Sequence, residues 1–265
     1  MSKPFDQLAN TYDSNFTYGN IGQLQRKCVW NYMEKIIPDL TGLEILELNC
    51  GTGEDALMFS EKGFNIVATD VSTEMLKVTQ QKVQQFSMQH RISSQYLDLE
   101  SFDESAFDKK FDLIFSNFGG LNCINPESLK ILLQKIPSIL SPGGRFIAVI
   151  MPRFCMWESV YFLMKFRFSN IFRRWTSQEV NADLQGASMK IWYYNPAHIK
   201  KAGGKAYKTI ATLPIGFALP PSYLENYFSK RKGLLNFLNT LEGGLNKITF
   251  LSSASDHYII DLQLI

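Results

Sequence analysis

The sequence lacks most of the features that would assign it to a specialised class of protein. Its 4 cysteines include no Cys-x-x-Cys pair, so we expect no metal site and reduced thiols. The net charge of +2 gives no strong field for nucleic acid, which we do not expect as a partner. No apolar run reaches the roughly 20 residues that cross a bilayer, and the polar start MSKPFDQLANTYDSN is not typical of a signal peptide. We therefore expect a cytoplasmic protein without an integral membrane span.

Up to about residue 150, short apolar runs alternate with segments of helical periodicity. A predicted helix over 21–37, which Pro38 ends, comes first. The predicted strands that follow are 43–49, 65–71, 93–99, 111–118 and 145–151. This alternation is typical of a parallel sheet that is covered by helices on both faces.

The pattern changes after residue 152. Segments 157–175 and 220–244 have helical character, and 188–194 alternates as a strand does. Two further strands are predicted at 206–217 and 257–265. We expect these two strands to join the same sheet, with helical insertions between them and the strands before.

Polar residues or glycines stand at the ends of four consecutive predicted strands. They are Asn49–Gly53, Asp70, Asp98 and Ser116–Asn117. The carboxyl ends of parallel strands lie at one edge of a sheet, and ligands bind beyond that edge. The four ends together therefore predict a binding site.

The turn after the first strand contains Gly51 and Gly53. Glycine permits a left-handed backbone and lets a ligand approach the main chain closely. The Gly-x-Gly-x-x-Gly fingerprint of dinucleotide sites is incomplete, because Asp55 and Ala56 follow the glycine pair. The Gly-x-Gly turn is therefore weak evidence when taken alone.

The next two strand ends fit an adenosine. Asp70 is placed to accept hydrogen bonds from both ribose hydroxyls. Asp98 can accept one from the adenine amino group, and the N–H of Leu99 can reach a ring nitrogen, although Asp98 also fits a simple loop cap. Val71 and Met75 would flank the purine.

These motifs resemble those of the class I S-adenosylmethionine-dependent methyltransferases, in the bacterial branch that modifies small molecules. The matching segments are ILELNCGTG (45–53), ATDVSTEML (68–76), YLDLE (96–100), FDLIFSNFGGLN (111–122) and LSPGGRFIAVI (140–150), and FDQLANTYD (5–13) resembles the helix that closes over the cofactor. The resemblance implies an α/β fold with a doubly wound, mostly parallel seven-stranded sheet, a reversed last strand and helical insertions. It implies S-adenosylmethionine as cofactor and S-adenosylhomocysteine as product.

The resemblance also assigns roles residue by residue. Glu47 would help to place the methionine amino group, Ser116 and Asn117 would border the sulfonium, and Tyr12 would form part of the lid. Glu47 and Tyr12 also fit purely structural roles. Asn49 stands where the family most often has glycine, and asparagine adopts left-handed dihedrals more readily than most residues. We expect the turn to survive and the Asn49 side chain to add a cofactor contact.

The predicted function is methyl transfer to oxygen or nitrogen of a small, largely apolar or aromatic molecule. A base is needed only if the acceptor must lose a proton, and His257 at the start of the last strand is the candidate. The sequence SNFG (116–119) lacks the prolines that are typical of DNA amino-methyltransferases. The alternatives are a non-catalytic cofactor-binding or scaffold protein of the same fold, or a protein methyltransferase.

Segment 157–175 is rich in aromatic and basic residues. It fits three interpretations: a wall or lid of the acceptor pocket, plain packing, or peripheral contact with a membrane surface. The pocket interpretation predicts five acceptor-binding residues, which are Tyr18, Phe118, Phe154, Trp157 and Tyr161.

The chain is accordingly divided into four parts. These are N-terminal lid helices (1–40), a cofactor-binding core (41–151), a substrate-cap insertion (152–205), and the last two strands with a helical insertion (206–265). The sequence leaves the oligomeric state open.

Overall fold

A seven-stranded sheet forms the centre of the computed structural model, which describes residues 4–37, 42–184 and 187–265. Its strands are β1 (Glu44–Leu48), β2 (Asn65–Asp70), β3 (Ile92–Tyr96), β4 (Phe111–Ser116), β5 (Leu140–Ile150), β8 (Tyr207–Ile215) and β9 (His257–Leu264). A separate antiparallel hairpin consists of β6 (Val180–Leu184) and β7 (Ala187–Ile191). Pro38 and the predicted domain boundary at 40–41 lie outside the described residues.

The strand order is β3-β2-β1-β4-β5-β9-β8. The first five strands pair in parallel, whereas β9 runs antiparallel to both of its neighbours. The predicted fold, with its reversed last strand, is confirmed. The chain builds outward from β1 first to one side and then to the other, so β1 and β4 meet at the switch point where ligands of such sheets bind.

The helices cover the sheet on both faces. They are α1 (Asn20–Ile36), α2 (Glu54–Glu61), α3 (Thr73–Gln85), α4 (Pro126–Lys135), α5 (Met156–Met164), α6 (Pro196–Gly203), α7 (Glu225–Phe228) and α8 (Lys232–Leu245). Among the described residues, none of them combines the length and apolar character that crossing a membrane requires.

Alternate residues of the central strands enter two separate cores, because successive side chains of a strand point to opposite faces. Leu46 and Ile114 join the core that α4 covers. Ile45 and Phe115 join the core that α1 and α2 cover. Both faces of β1 and β4 are therefore buried, and only their ends are left to meet a ligand.

Helix caps fix the elements next to the strand ends. Ser72 caps α3, since its Oγ accepts a hydrogen bond from the N–H of Met75 at 3.1 Å. Gly19 precedes α1 and has no side chain for this purpose. The carboxylate of Glu225 instead accepts from the N–H groups of Asn20 and Ile21 at 3.0 and 2.9 Å. The start of α1 is thus held by a distant part of the chain.

Three predicted elements are longer than those observed. The helix predicted over 157–175 ends with α5, because Phe166 has a φ of +54° that an α-helix cannot continue. The helix predicted over 220–244 is divided into α7 and α8. The third strand ends at Tyr96, and Asp98 caps a short 3-10 helix by accepting from the N–H of Glu100 at 3.0 Å.

Candidate functional site

A cavity of about 470 Å³ lies at the carboxyl edge of the sheet. Its volume is within the range of small-molecule sites. Residues from all four predicted strand ends contribute to its wall. The predicted site residues that line it are Tyr12, Asn49, Gly51, Asp70, Val71, Met75, Asp98, Leu99, Asn117 and Phe118.

The cavity also has walls that sequence reasoning missed. Hairpin β6–β7 packs against the N-terminal 3-10 helix Pro4–Gln7, and the two segments face the cavity together with the loop after β4. The missed residues are Phe5, Leu97, Glu100, Gly119, Gly120, Cys123, Ile124, Ser188, Met189, Lys190 and Trp192. The sequence signal for the hairpin was the strand pattern at 188–194. This predicted strand had no partner, because the seven-stranded sheet was already complete without it.

The glycine turn presents bare main chain to the cavity. Gly51 has a φ of +55°, and a Cβ at this position would have no heavy atom within 4 Å, so a ligand has room against the backbone. Gly53 has a φ of +80° and lies off the cavity wall, where a Cβ would come within 2.7 Å of Thr79 Cγ2. The first glycine thus leaves space for a ligand, and the second lets the turn pack on α3.

Asp70 holds the glycine turn and also faces the cavity. Its Oδ2 accepts from the N–H of Gly51 at 2.9 Å, and its Oδ1 accepts from the N–H of Ser72 at 2.8 Å. Burial raises the pKa of this carboxyl, and the backbone N–H groups oppose the rise. A carboxylate has about four acceptor positions, so Asp70 keeps capacity for ligand hydroxyls.

Asn49 joins the ends of β1 and β4. Its φ is +52°, which is the left-handed conformation expected at this position. Its Oδ1 accepts from Ser116 Oγ at 2.7 Å, and its Nδ2 donates to the carbonyl of Asn117 at 3.2 Å. A Cβ at Gly120 would overlap the Asn49 carboxamide. Ser116 is fully buried behind this contact and does not reach the cavity wall.

Glu47 is buried beneath the turn with one oxygen unused. Among the described residues, its Oε2 has no hydrogen-bond partner. Burial raises the pKa of this carboxyl well above its usual range; Asp55 and Asp70 add to the rise, and Arg26 opposes it. Arg26 and Asp55 line a side pocket of about 40 Å³ that shares Asn49 and Gly51 with the main cavity. A buried carboxylate oxygen without a donor fits an amino group of a ligand.

Asp55 fastens α1 to the loop after β4. It accepts from Arg26 Nη1 at 2.6 Å, Trp30 Nε1 at 2.6 Å and Asn117 Nδ2 at 2.9 Å. The Arg26 guanidinium also lies 5.0 Å from the centre of the Phe118 ring. Asp55 therefore links α1 to Asn117 and Phe118, two residues that line the cavity.

Hydrogen bonds tether the N-terminal segment over the site. Asp6 accepts from Ser72 Oγ at 2.6 Å, Asp13 from Thr52 Oγ1 at 2.6 Å, and Glu54 from the Tyr18 hydroxyl at 3.1 Å. These contacts position Tyr12 in the cavity wall. Tyr18 itself is more than half exposed and lies outside that wall.

The other predicted acceptor-site residues are not brought to the cavity. Trp157 packs edge-on against Phe228, with ring centres 5.9 Å apart, and donates its indole N–H to the carbonyl of Ala218 at 3.1 Å. Phe154 packs against Trp175, and Tyr161 packs against Tyr223. Their proposed role in acceptor binding stays a prediction.

His257, the candidate base, lies one side chain away from the cavity. Its ring packs edge-on against Phe118 at 5.5 Å between centres, and its Nδ1 lies 3.3 Å from Asp256 Oδ2. Its catalytic role stays a prediction. In the described part of the chain, no group of histidine, cysteine and acidic residues is arranged to hold a metal ion.

Residues 45–144 match a family model described as a methyltransferase domain. The chain is 27% identical over 148 residues, 56% of each chain, to demethylmenaquinone methyltransferase of Clavibacter sepedonicus. It is 24% identical over 143 residues, 53% of each chain, to tRNA 5-carboxymethoxyuridine methyltransferase of Escherichia coli. The chain thus spans about half the length of the curated relatives that it matches.

The fold is shared more widely than the sequence. The structure of the CcbJ methyltransferase from Streptomyces caelestis aligns with a TM-score of 0.63 at 12% identity, over 99% of this chain and 98% of that one. At this identity the likeness shows the fold alone. The named relatives differ in the molecules that they modify, so the comparisons leave the acceptor open.

Proposed function

We propose that this chain, whose residues 45–144 match the methyltransferase-domain model, is a class I S-adenosylmethionine-dependent methyltransferase. It would bind S-adenosylmethionine and transfer its methyl group to a small, largely apolar or aromatic molecule. The observation that carries the proposal is the cavity at the carboxyl edge of the sheet, which joins acidic groups to apolar walls. The product of the cofactor is S-adenosylhomocysteine.

The acidic side of the cavity fits the cofactor. In the proposal, Asp70 accepts hydrogen bonds from the ribose hydroxyls. Asp98 accepts one from the adenine amino group, and the Leu99 N–H donates one to an adenine ring nitrogen. Gly51 leaves room for the chain between ribose and methionine, because no heavy atom lies within 4 Å of its absent Cβ. The unused Oε2 of Glu47 is the acceptor that fits the methionine amino group, directly or through a water molecule.

The apolar side of the cavity fits the acceptor. Ile124, Met189 and Trp192 line it, and pockets for small ligands are mostly apolar with a few polar anchors. We infer that hairpin β6–β7 is the functional part of the substrate-cap insertion. Among the described residues that line the cavity, Lys190 is the one cation, and it pairs with Glu179 at 2.9 Å. Such a wall is poorly suited to a phosphate backbone, which favours a small molecule over nucleic acid.

The chemistry requires alignment more than acid or base groups. The bound cofactor supplies a methyl group on a positively charged sulfur. The protein must hold the acceptor atom in line with that methyl and exclude water, and such positioning can lower a barrier by roughly 7–11 kcal/mol. The tethered N-terminal segment and the hairpin perform this task in the proposal. An oxygen or nitrogen acceptor that keeps a proton would need His257 or a water molecule to remove it.

The experiment is methyl transfer from S-adenosylmethionine carrying a radiolabelled methyl group. The purified full chain is incubated with separated small-molecule, RNA and protein fractions of a cell extract, and with an Asp98→Ala variant as the matched blank. Label that enters only the small-molecule fraction supports the proposal. Label in the RNA or protein fraction contradicts the proposed acceptor class. Absence of label in every fraction, together with absence of cofactor binding, contradicts the enzyme itself.

A further inference from the structure

Two neighbouring helices expose apolar faces that the fold does not cover. On α5 the exposed residues Met156, Val160, Leu163 and Met164 lie on one helical face. On α8 the exposed residues Leu234, Phe237 and Leu241 also lie on one face. A soluble surface rarely leaves contiguous apolar residues of this size exposed unless they bind something.

These two faces belong to one region of the molecule. Trp157 of α5 and Leu235 and Leu238 of α8 pack on the same small core, which also contains Phe228 of α7. Tyr161 of α5 further contacts Tyr223. The inner sides of the two helices thus pack on one shared core, which places both exposed faces in the same region of the surface. We call this outer surface the aromatic–basic face; it comprises residues 156–175 and 223–250.

The loop after α5 adds aromatic rings that point away from the core. Phe166 is 80% exposed although its φ is +54°, a left-handed position that glycine normally fills at the end of a helix. For a bulky residue this conformation costs about 1–2 kcal/mol. Phe168, Phe172 and Trp175 are also more than half exposed. The fold gains no burial from the Phe166 ring that would offset the strain, which is a pattern typical of functional positions.

The exposed charges of the aromatic–basic face are positive. The acidic residues of these two ranges are Glu158, Glu225 and Glu242. Glu158 is buried, and Glu225 is half-buried and accepts from the N–H groups of Asn20 and Ile21. Glu242 is fully buried and accepts from backbone N–H groups of Gly216 and Ala218. The exposed cations are Lys165, Arg167, Lys230, Arg231, Lys232 and Lys247, whereas the exposed Arg173 is already paired with the buried Glu158. The face therefore complements an anionic surface.

We propose that the aromatic–basic face docks on the headgroup region of an anionic lipid bilayer. Exposed leucine, methionine and phenylalanine side chains would enter the interface, and lysine and arginine side chains would contact the lipid phosphates. The exposed aliphatic residues of α5 favour lipid over RNA, because single-stranded RNA is bound through stacking aromatic rings and a basic groove. Like charges oppose pairing of this face with a second copy of itself. The proposal goes beyond methyl transfer and does not depend on it.

Vesicle sedimentation of the full chain tests the proposal. The vesicles consist of phosphatidylcholine alone or of phosphatidylcholine mixed with phosphatidylglycerol, and neither cofactor nor acceptor is added. We expect binding to the anionic vesicles that added salt weakens. The variants Phe166→Ser and Phe237→Ser should each reduce binding severalfold. The double variant Lys165→Gln/Arg167→Gln should reduce it by about fivefold for each cation removed.

Matched variants on other surfaces serve as controls. Phe86 is 51% exposed and Lys130 lies on α4, so Phe86→Ser and Lys130→Gln should leave vesicle binding unchanged. Circular dichroism establishes that every variant is folded. Failure to bind either vesicle overturns the proposal. A dimer that is detected by light scattering and that Phe237→Ser dissociates would also overturn it. Binding of an RNA oligonucleotide by a chain that does not bind vesicles would do the same.

Discussion

Replacing Gly120 with alanine should disrupt the joint between the glycine turn and the loop after β4. The new methyl group would overlap the carboxamide of Asn49. That carboxamide makes two hydrogen bonds, from Ser116 Oγ at 2.7 Å and to the Asn117 carbonyl at 3.2 Å. The added methyl therefore displaces the carboxamide, which breaks both bonds, and it also overpacks the joint between the two loops.

The magnitude follows from these contacts. Two lost hydrogen bonds are worth about 1 kcal/mol each, with the buried Ser116 hydroxyl left unpaired. Overpacking adds about 1–3 kcal/mol. We expect Gly120→Ala to lower the free energy of unfolding by about 3–5 kcal/mol. Asn49→Gly should cost less, about 1–2 kcal/mol, since glycine relieves the left-handed backbone while the two bonds are lost.

The decisive measurement is a double-mutant cycle by chemical denaturation. Asn49→Gly/Gly120→Ala removes the overlap, so it should be clearly more stable than Gly120→Ala alone. Gly243→Ala is the matched control, because a Cβ there meets no heavy atom within 4 Å; it should stabilise α8 by about 0.5–1 kcal/mol. Strict additivity of the two single changes, within about 0.5 kcal/mol, would refute the coupling of Asn49 to Gly120.

Three further predictions concern buried groups. A cofactor ammonium beside Glu47 should lower the raised pKa of its carboxyl, so cofactor binding should release protons. The heat of S-adenosylhomocysteine binding in mildly acidic solution should therefore depend on the buffer. Glu47→Gln should remove that dependence. Burial opposes ionisation of Asp256, yet His257 and Arg174 hold its pKa below its ordinary value of 3.8. The contribution of this carboxylate to stability is therefore complete at neutral pH and is lost as the pH falls. Asp256→Asn should lower the free energy of unfolding at neutral pH by about 3–5 kcal/mol in chemical denaturation. Trp157→Ala should lower the free energy of unfolding by about 3 kcal/mol without changing cofactor affinity. A weakened cofactor affinity in a folded variant would contradict the position of Trp157 outside the cavity.

The sequence was sufficient for the sheet and for many of the residues that line the cavity. Apolar runs and helical periodicity are local signals, and the family resemblance supplied the number of strands and the reversed last strand. The left-handed conformation of Asn49 was also predictable, because few residues other than glycine adopt it. These features depend on short stretches of chain.

The contacts of the chain segments that follow β5 could not be predicted from such local signals. The aromatic pattern of segment 157–175 does not specify what each ring contacts, and the packing of Trp157 against Phe228 is visible only in the fold. Met189 and Trp192 reach the cavity through the docking of a hairpin on the N-terminal segment, which is a contact between distant parts of the chain. The dependence of Gly120 on Asn49 is likewise visible only when β1 and β4 are side by side.

Binding of S-adenosylhomocysteine by titration calorimetry tests the central claim most directly. Asp98 and Asp103 each cap a short 3-10 helix through one backbone N–H at 3.0 Å, but of the two only Asp98 lines the cavity. We predict that the unaltered chain binds S-adenosylhomocysteine. Asp98→Ala should weaken this binding about tenfold or more, as expected for a lost hydrogen bond to a charged group. Asp103→Ala should bind as the unaltered chain does. No binding by the unaltered chain, or equal affinity in both variants, would contradict the assignment of this cavity to the adenosine cofactor.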